Sequence, residues 1–346
     1  MRIIHCADIH LGAPINSFPE EVSNERKREV RYTFLRMVEF AKEKDVKVIM
    51  LSGDVFDRDK PYKKDLEVFY DVVKDNPDID FLYLRGNHDQ EGEERSFPNL
   101  KTFSTAWQSY AYGDVVISGI ELATENSVSL YSTLSLNEKN KNIVMLHGQV
   151  GSEINLTKLR DKNIDYLALG HIHQYSDGAL DNRGRYAYSG CLEGRGFDET
   201  GKKGFVLLEV EDKLSYAFIP FSLRSIEKVE LDVSGLQEGG EMARLARAKI
   251  GFKKENIYRI ELVGEVDADV ERFDEDVQRY LEMDCAYVSV KDRTKKKMDY
   301  TIYEGDNSLR GEFVRTVRES EGYSEEEKAQ IIAFGLKALA GREVDA

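Results

Sequence analysis

Up to about residue 224, one pattern of apolar and polar positions recurs: a short apolar run stops at a small residue, and polar groups follow at once. "RIIHCADIH" delivers Asp8 and His10, and "VKVIMLSGDVFD" delivers Asp54 and Asp57. "FLYLRGNHD" delivers Asn87, His88 and Asp89, "NIVMLHG" delivers His147, and "DYLALGHIH" delivers His171 and His173. Short apolar runs bounded by glycine predict strands buried on both faces. Between the first three lie amphipathic segments. "NERKREVRYTFLRMVEFAKEK" puts Val30, Phe34, Met37, Val38 and Ala41 on one helical face, and "KKDLEVFYDVVKD" does the same with Leu66, Phe69, Tyr70 and Val73. Strand–helix alternation predicts a layered α/β unit with its polar tips at the carboxyl ends of the strands. "YGDVVISGIEL", "GRYAYSGCLEG" and "KGFVLLEVEDKLSYAFIPF" read as further strands with hairpin-like turns, which points to a second sheet.

Beyond "SLRSIEKVELDVSG" the grammar continues without the polar tips. Residues 226–290 read as strand, helix ("EMARLARAKIG"), strand ("NIYRIELVG"), helix ("DVERFDEDVQRYLEM") and strand ("CAYVSV"). The last stretch reads as two helices. Asn307 or Ser308 is placed to cap the first, Ser324 with Glu327 forms a capping box for the second, and Gly341 is placed to close it. The fold class expected is therefore α/β: a two-sheet β-sandwich flanked by helices over 1–224, a small α/β unit over 225–300 and a helical tail over 301–346.

Composition narrows the setting. Of the 346 residues, 33% are charged and 41% hydrophobic, enough for a packed core under a well-solvated surface. A net charge of −15 argues against a protein that binds nucleic acid over its whole surface, because phosphate attraction needs local positive potential. It leaves room for an enzyme whose cations are bound metals or small patches. Cys6, Cys191 and Cys285 lie far apart with no CxxC spacing, so neither a disulfide framework nor a zinc–thiolate site is expected, and a cytoplasmic setting is. No apolar run approaches the ~20 residues of a membrane span.

The candidate chemistry lies at the strand ends. Of six histidines, all but His5 fall at or just after such an end. Asp8, His10, Asp54, Asn87, His147, His171 and His173 offer only nitrogen and oxygen, a donor set that suits Mn, Fe, Zn or Mg. In "DIH" and "HIH" the two polar residues are i and i+2, which on an extended backbone point to one side. Seven donors are too many for one ion and suit two that share a bridging carboxylate, for which Asp54 is the natural choice. Two such ions ~3.5–4 Å apart can activate water and stabilise entering and leaving oxygens at phosphorus. Asn87 can give its side-chain oxygen to a metal, whereas the adjacent His88 points elsewhere and is better placed to face the substrate. Asp57 could hydrogen-bond His88 and keep it protonated for charge stabilisation or proton donation.

Taken in order, "DIHLG", "GDVFD", "GNHD", "MLHG" and "GHIH" resemble the signature series of the calcineurin-like metallophosphoesterases. "MRIIHCADIHLG" and "SGDVFDRDKP" resemble, more narrowly, the SbcD and meiotic-recombination type DNA-repair nucleases, and "LRGEFVR…GLKALAGRE" is similar to a YhaO-like branch. The resemblance implies one metal on Asp8, His10, Asp54 and His173, and another on Asp54, Asn87, His147 and His171, with His88 as the catalytic non-ligand. It implies two divalent ions, most often Mn²⁺, a 3′-to-5′ DNA exonuclease with single-strand endonuclease activity as an addition, and a homodimer. It also implies a partner among the SMC-like ATPases (SbcC-type or YhaN-like) and a DNA-contacting cap over 225–300. The segment between "GNHD" and "MLHG", residues 90–144, is shorter than in many SbcD-type enzymes, which implies reduced DNA-contacting loops. Two alternatives stay open: a phosphatase or cyclic-nucleotide phosphodiesterase on a small substrate, and a regulatory scaffold of an ATPase whose metal site is structural. Basic residues in "NERKREVR" (Arg26, Lys27, Arg28, Arg31) and Lys295, Lys296 and Lys297 are DNA contacts or a solvated face. Tyr186 and Tyr188 stack on bases or fill the core. The terminal helices, with Phe313, Val317, Ile331, Phe334, Leu336 and Leu339, pack on the chain itself or dock the ATPase.

Overall fold

A computed structural model describes residues 1–57, 61–89, 95–266, 273–296, 300–303 and 305–339. Lys297, Gly341 and positions 269–272 of the expected fourth helix lie outside the described residues. The chain groups into two compact units. The first holds Met1–Lys228, Lys253–Tyr258 and Cys285–Tyr287; the second holds Val229–Phe252, Arg259–Asp284 and Val288–Ala346.

The first unit is built on two six-stranded sheets. One contains β1 (Arg2–Cys6), β2 (Val46–Ser52), β3 (Asp80–Leu84) and β4 (Leu100–Thr102), all parallel, with the hairpin β11 (Gly204–Val210) and β12 (Leu214–Pro220) added antiparallel beside β1. The other runs in the order β5 (Gln108–Tyr112), β6 (Val115–Gly119), β7 (Lys141–His147), β8 (Tyr166–Gly170), β10 (Arg185–Tyr188) and β9 (Ser176–Ala179). Its inner strands are parallel and its two edges antiparallel. Two sheets thus flanked by helices are the α/β architecture expected, but their membership differs from a reading along the chain. The "KGFVLLEVEDKLSYAFIPF" hairpin completes the first sheet, while β7 and β8 build the second.

Period-two alternation explains the layers. Ile3, Val48, Met50 and Leu82 pack between the sheets against Ile117, Ile143, Met145 and Ala168. Their sequence neighbours Ile4, Ile49, Leu51 and Phe81 face the other way and meet helices α1 (Glu20–Glu43) and α2 (Lys63–Asp75) through Phe34, Met37, Phe69 and Val73. On the far side of the second sheet, Val144, Leu146, Leu167 and Leu169 are covered by Ile154, Leu159 and a short helix α3 (Leu130–Thr133). Strands apolar on both faces can only sit inside such a stack, which leaves their carboxyl ends as the place where polar residues emerge.

Several open expectations resolve toward packing. Arg26 is 1% exposed and donates to Glu29, Glu193 and the carbonyl of Gly194, and Arg31 donates to Asp65 at 2.5 Å. Both guanidiniums are engaged within the protein; of the basic residues in that run only Arg28 is exposed, and Lys27 is half-buried. Tyr186 packs at the outer core, and the Tyr188 hydroxyl donates to Gly148 O and accepts from Val150 N.

In the second unit, strands β13 (Ile226–Asp232), β14 (Ile257–Val263) and β16 (Tyr287–Asp292) form one sheet in that order. Helices α4 (Gly239–Lys249) and α5 (Asp274–Leu281) alternate with them in sequence, and Arg247 of α4 bonds to Asp284 at 2.8 Å. A second pairing joins β15 (Glu265–Val266) to β17 (Lys295–Lys296), and Lys295 and Lys296 are exposed. Helices α6 (Leu309–Glu319) and α7 (Glu325–Leu339) pack on each other through Val314, Val317 and Ile332. Ser308, one of the two expected caps, accepts from Gly311 N, and Phe334 is 46% exposed. No helix among the described residues is long and apolar enough to cross a membrane.

Candidate metal centre

Loops at the carboxyl ends of β1 and β2 are zipped together by backbone bonds. Asp8 N donates to Gly53 O and His10 N to Asp54 O, each at 3.0 Å, and Leu11 N donates to Val55 O at 2.8 Å. Within this zipper the chain is forced out of extended geometry: φ is +53° at Asp8, +52° at His10 and +52° at Asp54, and it is +103° at His171 after β8. Side chains seldom occupy that left-handed region and do so where the surrounding structure over-determines them. The "DIH" pair therefore converges through two left-handed residues, not through the extended alternation expected. Asp8, His10 and His173 bring donor atoms within 4.8 Å of one another, as do Asp8, Asp54 and His147.

Glycines let the sheets' tips close. A Cβ at Gly170 would lie 1.9 Å from Ser52 O, one at Gly53 would lie 2.0 Å from His147 Nδ1, and one at Gly86 would lie 2.2 Å from Asp54 Oδ1. The carboxylate of Asp89 fastens the same region by accepting from Val55 N, Phe56 N and Gly86 N, although burial pushes its carboxyl up to about 6. Arg85 is turned away onto Glu121, with Nε and Nη2 at 2.9 and 2.8 Å. These two flanking residues fix loops around the site.

All seven expected donors meet here. His10 Nε2 lies 3.2 Å from His173 Nε2 and 3.8 Å from Asp54 Oδ2; His173 Nε2 lies 3.9 Å from Asp8 Oδ1. On the other side, Asn87 Oδ1 is 3.0 Å from His147 Nε2 and 3.1 Å from His171 Nδ1, and His147 Nε2 is 3.3 Å from Asp54 Oδ2. Asp54 stands between the two groups. The two histidines of "HIH" part company: His171 joins Asn87 and His147, while His173 joins His10, because the positive φ at His171 breaks the alternation that would have aligned them.

The hydrogen bonds behind the rings assign their lone pairs. His147 Nδ1 donates to Ser52 O at 2.9 Å, and His173 Nδ1 donates to Glu199 Oε1 at 2.7 Å. His10 Nδ1 lies 2.7 Å from Asp57 Oδ1, off the axis of a straight hydrogen bond. With their outer nitrogens engaged, the three rings, once neutral, aim an Nε2 lone pair at a space already walled by Asp8, Asp54 and the Asn87 oxygen. Acceptors facing acceptors need a cation between them. Without an ion, a proton on His147 beside Asp54 supplies that positive charge. Burial drives Asp8 up to about 6, partly offset by His147 and His173, and holds His10 down at about 4 against the raising contact of Asp57. Burial likewise opposes charge on Asp54 and His147, yet their mutual contact wins, with Asp54 held at about 2 and His147 raised to about 9. The donor set thus fits divalent ions: Asp8, His10 and His173 on one side, Asn87, His147 and His171 on the other, and Asp54 shared.

His88 stands at the edge of this cluster, with its ring 5.1 Å from that of His10 between centroids and a ring nitrogen within 4.8 Å of donor atoms of His10 and Asp57. Its backbone N–H donates to Asp54 Oδ1 at 2.8 Å, while its ring is 45% exposed at the mouth of the site. The Asp57 carboxylate, expected to hold His88, lies 3.6 Å from its Nδ1 and is nearer to His10. A cleft of about 770 Å³ opens beside Asn87, His147 and His171, with Arg85, Thr105, Leu122 and Glu153 among its walls. Glu199 and Arg195 were not anticipated from the sequence. They sit in a loop rather than at a strand end, and the only cue is their i, i+4 spacing in "GRGFDE", just after the last glycine-bounded strand.

Comparison with known proteins agrees with this geometry. Residues 1–175 match the family model described as calcineurin-like phosphoesterase. The chain is 24% identical to the DNA double-strand break repair protein Mre11 of Sulfolobus acidocaldarius, over 96% of this chain and 94% of that protein. It is 28% identical to the uncharacterized metallophosphoesterase YhaO of Bacillus subtilis, over 68% of this chain and 64% of YhaO. It is 25% identical to the SbcD component of the nuclease SbcCD of Staphylococcus saprophyticus, over 66% of this chain and 72% of that protein.

Proposed function

Because the chain belongs to the calcineurin-like phosphoesterases, a family of metal-dependent hydrolases whose fold implies a dinuclear divalent site, we propose that it is a Mn²⁺-dependent DNA exonuclease working 3′ to 5′. The observation that carries the reading is the convergence of His10, His147 and His173 lone pairs on Asp8, Asp54 and Asn87. Bound divalent ions would supply Lewis acidity and an activated water for in-line attack at phosphorus. His88 faces the scissile group from the open side and, protonated, gives its proton to the leaving oxygen as the P–O bond breaks. Asp57, within reach of both His88 and His10, balances that positive charge.

Support for DNA as substrate comes from the relatives. Similarity to a DNA double-strand break repair protein runs over 96% of the chain and so includes the part beyond the phosphoesterase match. The residues 225–300 then act as a DNA-contacting cap and residues 301–346 as the docking element for an SMC-like ATPase, with a homodimer as the working form in the cytoplasm. One observation favours a small phosphodiester instead: Glu153 on the cleft wall is an unfavourable neighbour for a polyanion, and the Arg85 cation lining the cleft is already paired with Glu121.

End-labelled linear DNA and a phosphodiester dye, each with Mn²⁺ and with wild type or His88→Ala, separate the readings. Loss of label that requires both Mn²⁺ and His88 establishes the nuclease, and the label's position gives its polarity. Dye cleavage with intact DNA transfers the assignment to a small-substrate phosphodiesterase.

A further inference from the structure

We infer that Arg195 is a positioning residue that locks two of the candidate ligand histidines, His10 and His173, through the carboxylates behind them. The inference rests on the dinuclear reading above and deepens it. The Arg195 guanidinium is 16% exposed and spans two acids that come from different loops. Its Nη1 lies 3.4 Å from Asp57 Oδ1, and its Nη2 and Nε lie 2.6 and 3.2 Å from Glu199 Oε1. The Arg195 backbone N–H adds a 2.7 Å bond to Glu199 Oε2. Each acid in turn faces the outer nitrogen of one ring, Asp57 at His10 and Glu199 at His173, both at 2.7 Å. The two Nε2 atoms meet 3.2 Å apart. His10, Asp57, Arg195, Glu199 and His173 therefore form a closed ring of contacts with one cation at its back.

Chemistry explains why that cation should be arginine. Two carboxylates this close repel each other, and each is needed as an acceptor for a histidine N–H. A planar fork can serve both from fixed directions, whereas a lysine ammonium is a point charge. Carboxylates behind histidine ligands raise ligand basicity and fix ring orientation. The opposite group is held differently: His147 leans on the neutral carbonyl of Ser52, His171 Nδ1 faces Asn87 itself, and among the described residues no carboxylate hydrogen-bonds the outer nitrogen of either ring. Arg195 thus acts on one side of the centre only, and its removal is read as a selective loss.

Calorimetric titration of the chelator-treated full chain with Mn²⁺ tests this. Wild type is expected to show two classes of uptake. Arg195→Ala weakens one class by about 10–100-fold and leaves the other; Glu199→Gln weakens the same class, Arg195→Lys recovers part of the loss, and His147→Ala weakens the opposite class. Melting in chelator is expected to fall for Arg195→Ala, because two largely buried carboxylates lose their cation; a merely structural arginine would produce that fall without the selective loss in one Mn²⁺ class. Unchanged Mn²⁺ isotherms in Arg195→Ala, or equal weakening of both classes, overturn the inference while sparing the metal reading. A wild type that takes up no Mn²⁺ overturns the metal reading and the inference with it. Should Arg195→Ala fail to fold, Arg195→Lys and Glu199→Gln decide on the same readout.

Discussion

In the first unit the left-handed backbone is shared between glycines and residues with side chains, the latter at Asp8, His10, Asp45, Asp54, Asp161, Asn163 and His171. In the second unit every described left-handed position is a glycine: Gly235, Gly264 and Gly322. Both units alternate strands with helices, and both bury a respectable core. The second uses left-handed geometry only to turn the chain, at no steric cost. The first also spends it on aspartates, histidines and an asparagine, where each costs roughly 1–2 kcal/mol, and four of those seven residues are candidate metal ligands. Strain that survives where a glycine would relieve it marks the place where a side chain is needed.

The largest expected effect comes from removing the shared donor. Asp54→Ala is expected to lower phosphodiester hydrolysis on the order of 10³-fold, because the residue between both histidine groups is lost. A variant that keeps more than a tenth of wild-type activity would detach function from the strained loops and undo the comparison. A matched pair of glycine variants sharpens it. Gly53 has φ +94°, and an added Cβ would lie 2.0 Å from His147 Nδ1; Gly235 has φ +75°, with nothing within 4 Å. Urea unfolding should show a loss of about 3 kcal/mol for Gly53→Ala, from strain plus overpacking, against about 1 kcal/mol for Gly235→Ala. Only the first should also reduce hydrolysis.

Much of this site is legible in the sequence, because apolar runs that stop at a polar residue name the strand and its tip together. Which sheet each strand joins is not legible: Ile143 and Val144 are equally apolar, so periodicity says that β7 is buried on both faces and nothing about its partners. The edge strands β4, β5 and β9 are short and part-exposed, with too little apolar signal to stand out. The pairing of Asp57 with His10 hides for another reason: in a turn, spacing along the chain does not fix direction. Arg195 lies 138 positions from Asp57, and only the folded chain brings them together.

A smaller effect separates the units by pH. All six histidines precede residue 174, so the second unit has none. His5 is fully buried on β1, its Nδ1 2.9 Å from the Tyr166 hydroxyl. Burial holds its pKa at about 3, well below the usual 6.5, against a raising backbone contact with Leu169. Below pH 6.5 the unfolded chain takes up a proton that the folded chain refuses, so stability falls as pH drops from 6.5 toward 3. At pH 5 the loss from His5 alone is about 2 kcal/mol. Urea unfolding at pH 7 and pH 5 should show His5→Gln losing about that much less than wild type on acidification. An equal loss in both proteins would move the acid sensitivity away from β1.

The smallest effect belongs to the second unit. Ser324 Oγ accepts from Glu327 N at 3.3 Å, and Glu327 Oε2 accepts from Ser324 N at 2.7 Å, which completes the capping box read from the sequence. Ser324→Ala removes one half of that exchange and should cost α7 about 1 kcal/mol, seen as faster amide exchange in its first turn. Because α6 and α7 share only a small cluster around Val314, Val317 and Ile332, this loss should stay local. Hydrolysis of a dye substrate should not change, since no donor of the metal centre lies in this unit. A drop in dye hydrolysis with Ser324→Ala would mean that the unit without strained side chains still governs the chemistry, and the contrast between the two would fail where it is easiest to check.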